Sequence, residues 1–482
     1  MIIEKGGKKY EIVIGVEIHT QLSTKSKLFS PAKNSFADQQ NTNVDNLDLG
    51  IPGMLPVLNK EVGRLAAMVG FGVGGDVQMV SRFDRKHYFY PDLPQGYQIS
   101  QFYHPIVFGG CVDIWDNDGN VKKISIERIH IEQDAGRLIH DKSLSETFID
   151  YNRAGVPLLE IVSNPDMRSP EEVVCFLKEI RMVLRSTGAS DADMEKGSFR
   201  CDANVSVREV GTKKLGTRCE IKNLNSFRFV SKAIEYEANR QVDVICDGEI
   251  ICQQTRLFNV ETGKTFAMRD KETSNDYRYF PDPDLLELVF SEDELFEIKK
   301  NMPTMPCVIR ENYVSTLELN RRDATNLMSE GKYMEFFEYL IKKHEPKFAL
   351  GWVMNELVGL LKKLKQDINN CLLTKEDLRI LLDLIKDGLI SGKIGKEILF
   401  FMLESGKSAK DIIEEKNLQQ VNDSNELEKF VLDIITNNPK EVSQYKVGNS
   451  RVMSFFVGQV MKVTKGQANP VKVNELLKKH LS

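Results

Sequence analysis

Five polar side chains, Arg200, Asp202, Asn204, Ser206 and Arg208, alternate with small or apolar residues from Phe199 to Arg208. A period of two belongs to a strand, and it places all five on one face of the extended chain. Buried unpaired polar groups each cost several kcal/mol, so such a face lines a wet cavity or a site and is not sealed inside a core. The same period runs through Glu11–His19, where Glu17 and His19 share a face. It recurs in His130, Glu132 and Asp134. Glu160 follows an apolar stretch that reads as a buried strand, where a carboxylate is costly unless a cation compensates it. An exposed strand face with incidental polar residues explains any one of these segments alone. Several in one domain predict a polar, metal-bearing funnel, and carboxylates favour Mg²⁺ or Mn²⁺, the ions that carry nucleotide phosphates.

The first 290 or so residues therefore read as mixed α and β, with one clear helix among the strands. Ser169 is a good N-cap, Pro170 suits the first helical position, and Glu171 and Glu172 favour the positive end of the dipole. Val173, Phe176, Leu177, Ile180, Val183 and Leu184 make one apolar stripe that Gly188 ends. Beyond Pro303 and Pro306 the pattern turns helical, over 347–364, 374–387 and 393–404, with Gly388, Gly392 and Gly406 as helix ends. Residues 411–439 carry seven acids against two lysines, whereas 440–482 carry eight bases against two acids. That basic tail is a footprint for a polyanion or a solvated basic face.

The net charge of −5 argues against a protein that coats nucleic acid non-specifically. No apolar run reaches the roughly 18 residues of a membrane helix. The stretch 1–13 has neither the apolar core of a signal peptide nor the look of a transit peptide, so a cytoplasmic, bacterial-type location is expected, with no membrane partner. Eight scattered cysteines without a C-x-x-C pair exclude a zinc ribbon and read as reduced, mostly structural thiols. Gly70-Phe-Gly-Val-Gly-Gly75 resembles a dinucleotide fingerprint but follows a helical stretch, not a strand. The two G-K-[ST] triplets at 263–265 and 406–408 have Phe258 and Phe401 where a P-loop needs its first glycine. ATP chemistry here needs a different kind of site.

Phe83–Asp92 interleaves bases and aromatics, the mixture that binds phosphates and stacks bases, and Asp276–Asp284 ends in a rigid, acid-rich turn. With Val16–His19, Arg85–Asp92, Tyr97–Gln101, Asn152–Pro157, Glu220–Phe227, Asp276–Pro281 and Lys465–Pro470, the chain resembles the B subunits of the tRNA-dependent amidotransferases (GatB of the GatCAB complex) from near Tyr10 to near Leu481.

The resemblance implies an α+β chain: a glutamine-synthetase-like catalytic domain over 1–295, an all-α helical domain over 296–405 and a small all-α, tRNA-binding tail over 406–482. It implies ATP and Mg²⁺ as cofactors. Glu17, His19, Glu132 and Glu160 are then the metal and catalytic candidates, joined in catalysis by Arg208 and Arg278, with Asp134, Asp202 and Asn204 as cofactor-binding residues. Where the family usually has two adjacent acids, this chain has Gln133, whose neutral amide would be a weaker ligand. The implied reaction phosphorylates the side-chain carboxylate of Glu-tRNA(Gln) or Asp-tRNA(Asn), because an oxide is a poor leaving group, and ammonia then displaces phosphate. Since no glutaminase nucleophile is evident, ammonia would come from the glutaminase/amidase subunit of that complex. Its small third subunit, which clamps the other two, would be the second protein partner. The rival readings are a glutamine-synthetase-like ligase acting on a free carboxylate and a non-catalytic tRNA-binding scaffold.

Overall fold

The computed structural model describes residues 1–482 except 37–38, 116–119, 142–145, 271–275, 329–330, 417–423, 447–451, 465–467, 469 and 482. Four of the six residues in Lys465–Pro470 thus lie outside the described residues. The chain divides into two compact units, Met1–Glu311 and Asn312–Ser482.

An eleven-stranded sheet forms the frame of the first unit among the described residues. The strands that matter for the site, in chain order, are β1 (Lys8–Gln21), β2 (Asp84–His87), β3 (Tyr97–Ser100), β4 (Val121–Gln133), β5 (Pro157–Ser163), β6 (Phe199–Glu209), β7 (Cys219–Leu224), β8 (Gln254–Asn259), β9 (Lys264–Asp270) and β10 (Phe280–Pro281). In space the large sheet runs β9-β8-β7-β6-β1-β5-β4, and its central pairs β6-β1, β1-β5 and β5-β4 are antiparallel. Strands β10, β2 and β3 make a separate three-stranded sheet.

One face of the large sheet is apolar. Ile14, Val16, Ile18, Ile129, Ile131, Leu159, Ile161, Ala203 and Val205 are buried there, in one core with helices α1 (Lys60–Gly72), α2 (Pro170–Ser186) and α3 (Phe227–Cys246). Helix α2 begins as its sequence predicts: the Ser169 hydroxyl accepts the Glu172 amide at 3.2 Å, with Pro170 in the first turn. Alternation then assigns the intervening residues to the opposite face, which is where the polar side chains stand.

The glycine-rich 70–75 stretch has a packing role. It ends α1, and a Cβ on Gly70 would meet a methyl of Val107 at 2.6 Å, while one on Gly75 would meet Val107 at 2.5 Å. The glycines let the helix lie directly on the neighbouring strand. Gly70→Ala is therefore expected to destabilise the protein by about 1–3 kcal/mol through overpacking. Urea unfolding checks this, and an unchanged midpoint would count against close approach as the reason for glycine here.

A helix over 306–315 crosses the division at Glu311, and in the second unit helices occupy 321–327, 331–340, 346–351, 358–364, 375–386, 392–405 and 409–416, while residues 352–357 form a π-helical turn. The predicted helix ends at Thr374 and Gly406 are present: Thr374 caps with Asp377 in a capping box, and Gly406 adopts φ 68°. Residues 427–481 have a hydrophobic cluster of their own, built around Leu427, Val431, Phe456, Val460 and Leu477. All eight cysteines are free thiols. No helix among the described residues is long and apolar enough to cross a membrane.

Candidate active site

Strand register brings the site together. Glu160 on β5 pairs with His19 on β1 and with His130 on β4, and His19 pairs in turn with Arg200 on β6. Partners in an antiparallel ladder project to the same face, so His130, Glu160, His19 and Arg200 form one row across four strands. Arg128, Val162, Glu17 and Asp202 form the row on one side of it, and Glu132, Leu158 and Gln21 the row on the other. A further row holds Gly15, Asn204, Glu220 and Thr255.

The chemistry concentrates where the first and third of these rows meet. One donor atom from each of His19, Glu132 and Glu160 lies within 4.8 Å of the others. His19 Nε2 is 3.4 Å from Glu160 and 3.9 Å from Glu132. His130 Nε2 is 3.1 Å from Glu160 and 3.3 Å from Glu132. Ser100 Oγ donates to Glu132 at 2.8 Å, and Gln98 Nε2 donates to it at 3.3 Å, fixing the carboxylate from the three-stranded sheet.

Charge holds this buried group together. Burial alone would pull the His130 imidazole down, but the charge of Glu160 and its contacts with Glu132 and Glu160 outweigh it and push the pKa up to about 9. Burial likewise opposes a charge on Glu160, yet His130 and His19 hold its carboxyl well below the ordinary range. Burial and Glu160 work against Glu132, whereas His130 and Lys86 bring it down. His19 is raised because Glu160 and Glu132 outweigh its burial. The result is two carboxylates with two imidazoles competing to neutralise them. Two carboxylates and an imidazole suit a divalent ion such as Mn²⁺ or Mg²⁺.

Residues 12–296 match the GatB/GatE catalytic domain family, and residues 335–481 match the GatB domain family. The chain belongs to the GatB family. It is 49% identical over 479 residues to the B subunit of the aspartyl/glutamyl-tRNA(Asn/Gln) amidotransferase of Rickettsia bellii, with 99% of each chain covered. It is 50% identical over 480 residues to the protein of that name from Rickettsia rickettsii, covering 100% of this chain and 99% of the relative.

Of the nine site residues expected for a GatB chain, the fold gathers His19, Glu132 and Glu160 into one group. Glu17 stands in the adjacent row, where Asn204 Nδ2 donates to it at 2.9 Å. Asp202 pairs opposite Glu17 and accepts from Lys222 at 2.8 Å. Asp134 follows β4 and is occupied by Arg200, Arg153 and Gln21, so its lone pairs serve an ion-pair hub. Arg208 is not brought to the group: it pairs with Glu11 at 2.9 Å, eight residues along β6 from the His19 row, about 27 Å at strand rise. Arg278 is exposed beside β10, with its carbonyl 3.3 Å from His87 Nδ1 and a positive φ of 46°.

Gln133 resolves simply. It follows Glu132 on β4, so alternation turns it to the other face, where its amide donates to Gln95 at 3.2 Å. The metal-type group is built without it. His130, Lys86 and Lys222 were missing from the expected set. His130 was legible as sharing a face with Glu132; its function as counter-charge needs the register with Glu160. Lys222 lies within the Glu220–Phe227 string, and its position between Asp202 and Glu220 depends on strand pairing.

Proposed function

We propose that this chain is the ATP-using, tRNA-binding subunit of an amidotransferase that converts Glu-tRNA(Gln) and/or Asp-tRNA(Asn) to Gln-tRNA(Gln) and Asn-tRNA(Asn). The observation that carries this reading is the row His130–Glu160–His19 with Glu132 beside it, in a chain that shares about half its residues with amidotransferase proteins of that name. The fold proposed for 1–295 is glutamine-synthetase-like. Residues 296–405 would be a helical domain and 406–482 a tRNA-binding tail, a division supported by the separate cluster of 427–481. The partners are the glutaminase/amidase subunit, which supplies ammonia, and the small third subunit of the complex, in the cytoplasm.

His19, Glu132 and Glu160 would hold Mg²⁺, with Glu17 in the next row as an outer carboxylate. The bound ion supplies neutralisation of nucleotide phosphates during transfer to the aminoacyl carboxylate, a contribution of several kcal/mol. His130 keeps Glu160 and Glu132 ionised and oriented from the side. Asn204 fixes Glu17 for the same purpose. Asp202 and Lys222 continue the polar face toward β8, and together with Asn204 would contact nucleotide. Arg278 would meet the substrate from the rim, whereas Arg208 is assigned to the ion pair with Glu11.

The deciding experiment uses the reconstituted three-protein complex with each misacylated tRNA, ATP and glutamine. Chelating divalent ions with EDTA is expected to stop amide formation on tRNA, while glutamine hydrolysis by the amidase partner persists. Added Mg²⁺ or Mn²⁺ should restore it. Amide formation that survives chelation would remove the metal-site reading. Amidation of free glutamate without tRNA would favour the ligase alternative.

A further inference from the structure

Lys86 lies on β2 directly opposite Gln98 on β3, and Gln98 donates to Glu132. The lysine therefore approaches Glu132 from the three-stranded sheet. Its Nζ is 5.0 Å from the Tyr277 ring and 5.9 Å from the Tyr88 ring. Among the described residues, no carboxylate comes within ion-pair distance of it. Burial works against its charge, but the field of Glu132, joined by that of Glu160, outweighs it and keeps the lysine protonated. The phenols of Tyr88 and Tyr279 are raised, Tyr88 to about 12, chiefly by burial, so both stay hydrogen-bond donors. Tyr279 is stacked on Phe102 with centroids 4.1 Å apart, which holds its ring in place. Tyr88 O–H donates to Gln98 Oε1 at 3.4 Å, and Gln98 in turn donates to Glu132, so this side of the site carries a lysine and a phenol-anchored amide facing the carboxylates.

We infer that Lys86 recognises the side-chain carboxylate of the amino acid esterified to tRNA. This rests on the reading under Proposed function and adds the specificity of that same site. A substrate carboxylate brought beside Glu132 and Glu160 meets like charge, and Lys86, which makes no ion pair among the described residues and stands opposite the Gln98 that donates to Glu132, is placed to compensate it. The half-buried tyrosines beside it lower the local dielectric and strengthen the pair. Amidation removes the substrate's charge, so the product loses this contact while every tRNA contact is unchanged. Lys86 then separates substrate from product by charge alone.

The test measures binding to the reconstituted complex without ATP, using one tRNA charged either with glutamate or with glutamine. The native complex is expected to hold the glutamate form about tenfold or more tighter, the size of one charge-assisted hydrogen bond. Lys86→Met and Lys86→Gln should bring the two forms to equal affinity, and Lys86→Arg should keep a preference. Retained preference in Lys86→Met or Lys86→Gln overturns the proposal, as does a native complex without preference. If these variants instead weaken ATP binding and leave the preference intact, the lysine serves phosphate and the proposal falls. Failure of the broader reading is recognised separately, by a native complex that forms no amide at all.

Discussion

Glu160→Gln is expected to lower ATP-dependent amide formation by about 10²–10³-fold while the amidase partner continues to hydrolyse glutamine. Glu160 pairs with both imidazoles across the sheet and lies closer to each than Glu132 does, to His19 at 3.4 Å and to His130 at 3.1 Å. The substitution keeps shape but removes a full charge from the proposed ion site. Stabilisation by a bound ion is worth several kcal/mol, and about 3–4 kcal/mol corresponds to that loss of rate. Mn²⁺ affinity, read by titration calorimetry, should fall with it. Glu17→Gln should cost less, on the order of tenfold, because Glu17 stands one row away from the group. Normal amidation by Glu160→Gln would make this carboxylate structural. Equal losses from both variants would mean that the ion sits between the two rows.

Much of this face was legible in the sequence because a strand's period is short and strict. Alternation alone sorts Arg200, Asp202 and Asn204 from Cys201, Ala203 and Val205, and the structure keeps that division. It also separates Gln133 from Glu132, so the missing acid matters less than its adjacency suggests. Period says nothing about neighbours, however. His19, His130 and Glu160 meet only because β5 lies between β1 and β4, and that order is a property of pairing over more than a hundred residues. Arg208 shows the converse failure: it shares a face with Arg200 yet is too far along the strand to act with it. In the second unit, caps such as Thr374 marked helix ends well. The π-helical turn at Trp352–Leu357 was invisible, because an apolar stripe over 347–364 reads as one regular helix.

Arg310→Met is expected to be the most destabilising single change outside the site, at about 3–5 kcal/mol. Arg310 is fully buried, and its Nη2 donates to both oxygens of Glu179 on α2, at 2.8 and 2.7 Å. Its guanidinium also lies 4.2 Å from the centre of the Trp115 ring. Burial raises the Glu179 carboxyl even with Arg310 present, so desolvation is already only partly repaid. Removing the arginine alone leaves a buried carboxylate without its cation, whereas Arg310→Met with Glu179→Leu removes both charges and should recover most of the loss. The pH dependence has a definite sign. A carboxyl raised by folding takes up a proton more readily in the folded state, so acid favours folding. In Arg310→Met that rise is larger, and its deficit should be greatest above neutrality and shrink as pH falls toward about 5. Urea unfolding followed by Trp115 fluorescence in a Trp352→Phe background measures each variant. A double change that is no more stable than Arg310→Met would show that the guanidinium's packing on Trp115, rather than an abandoned charge, accounts for the loss.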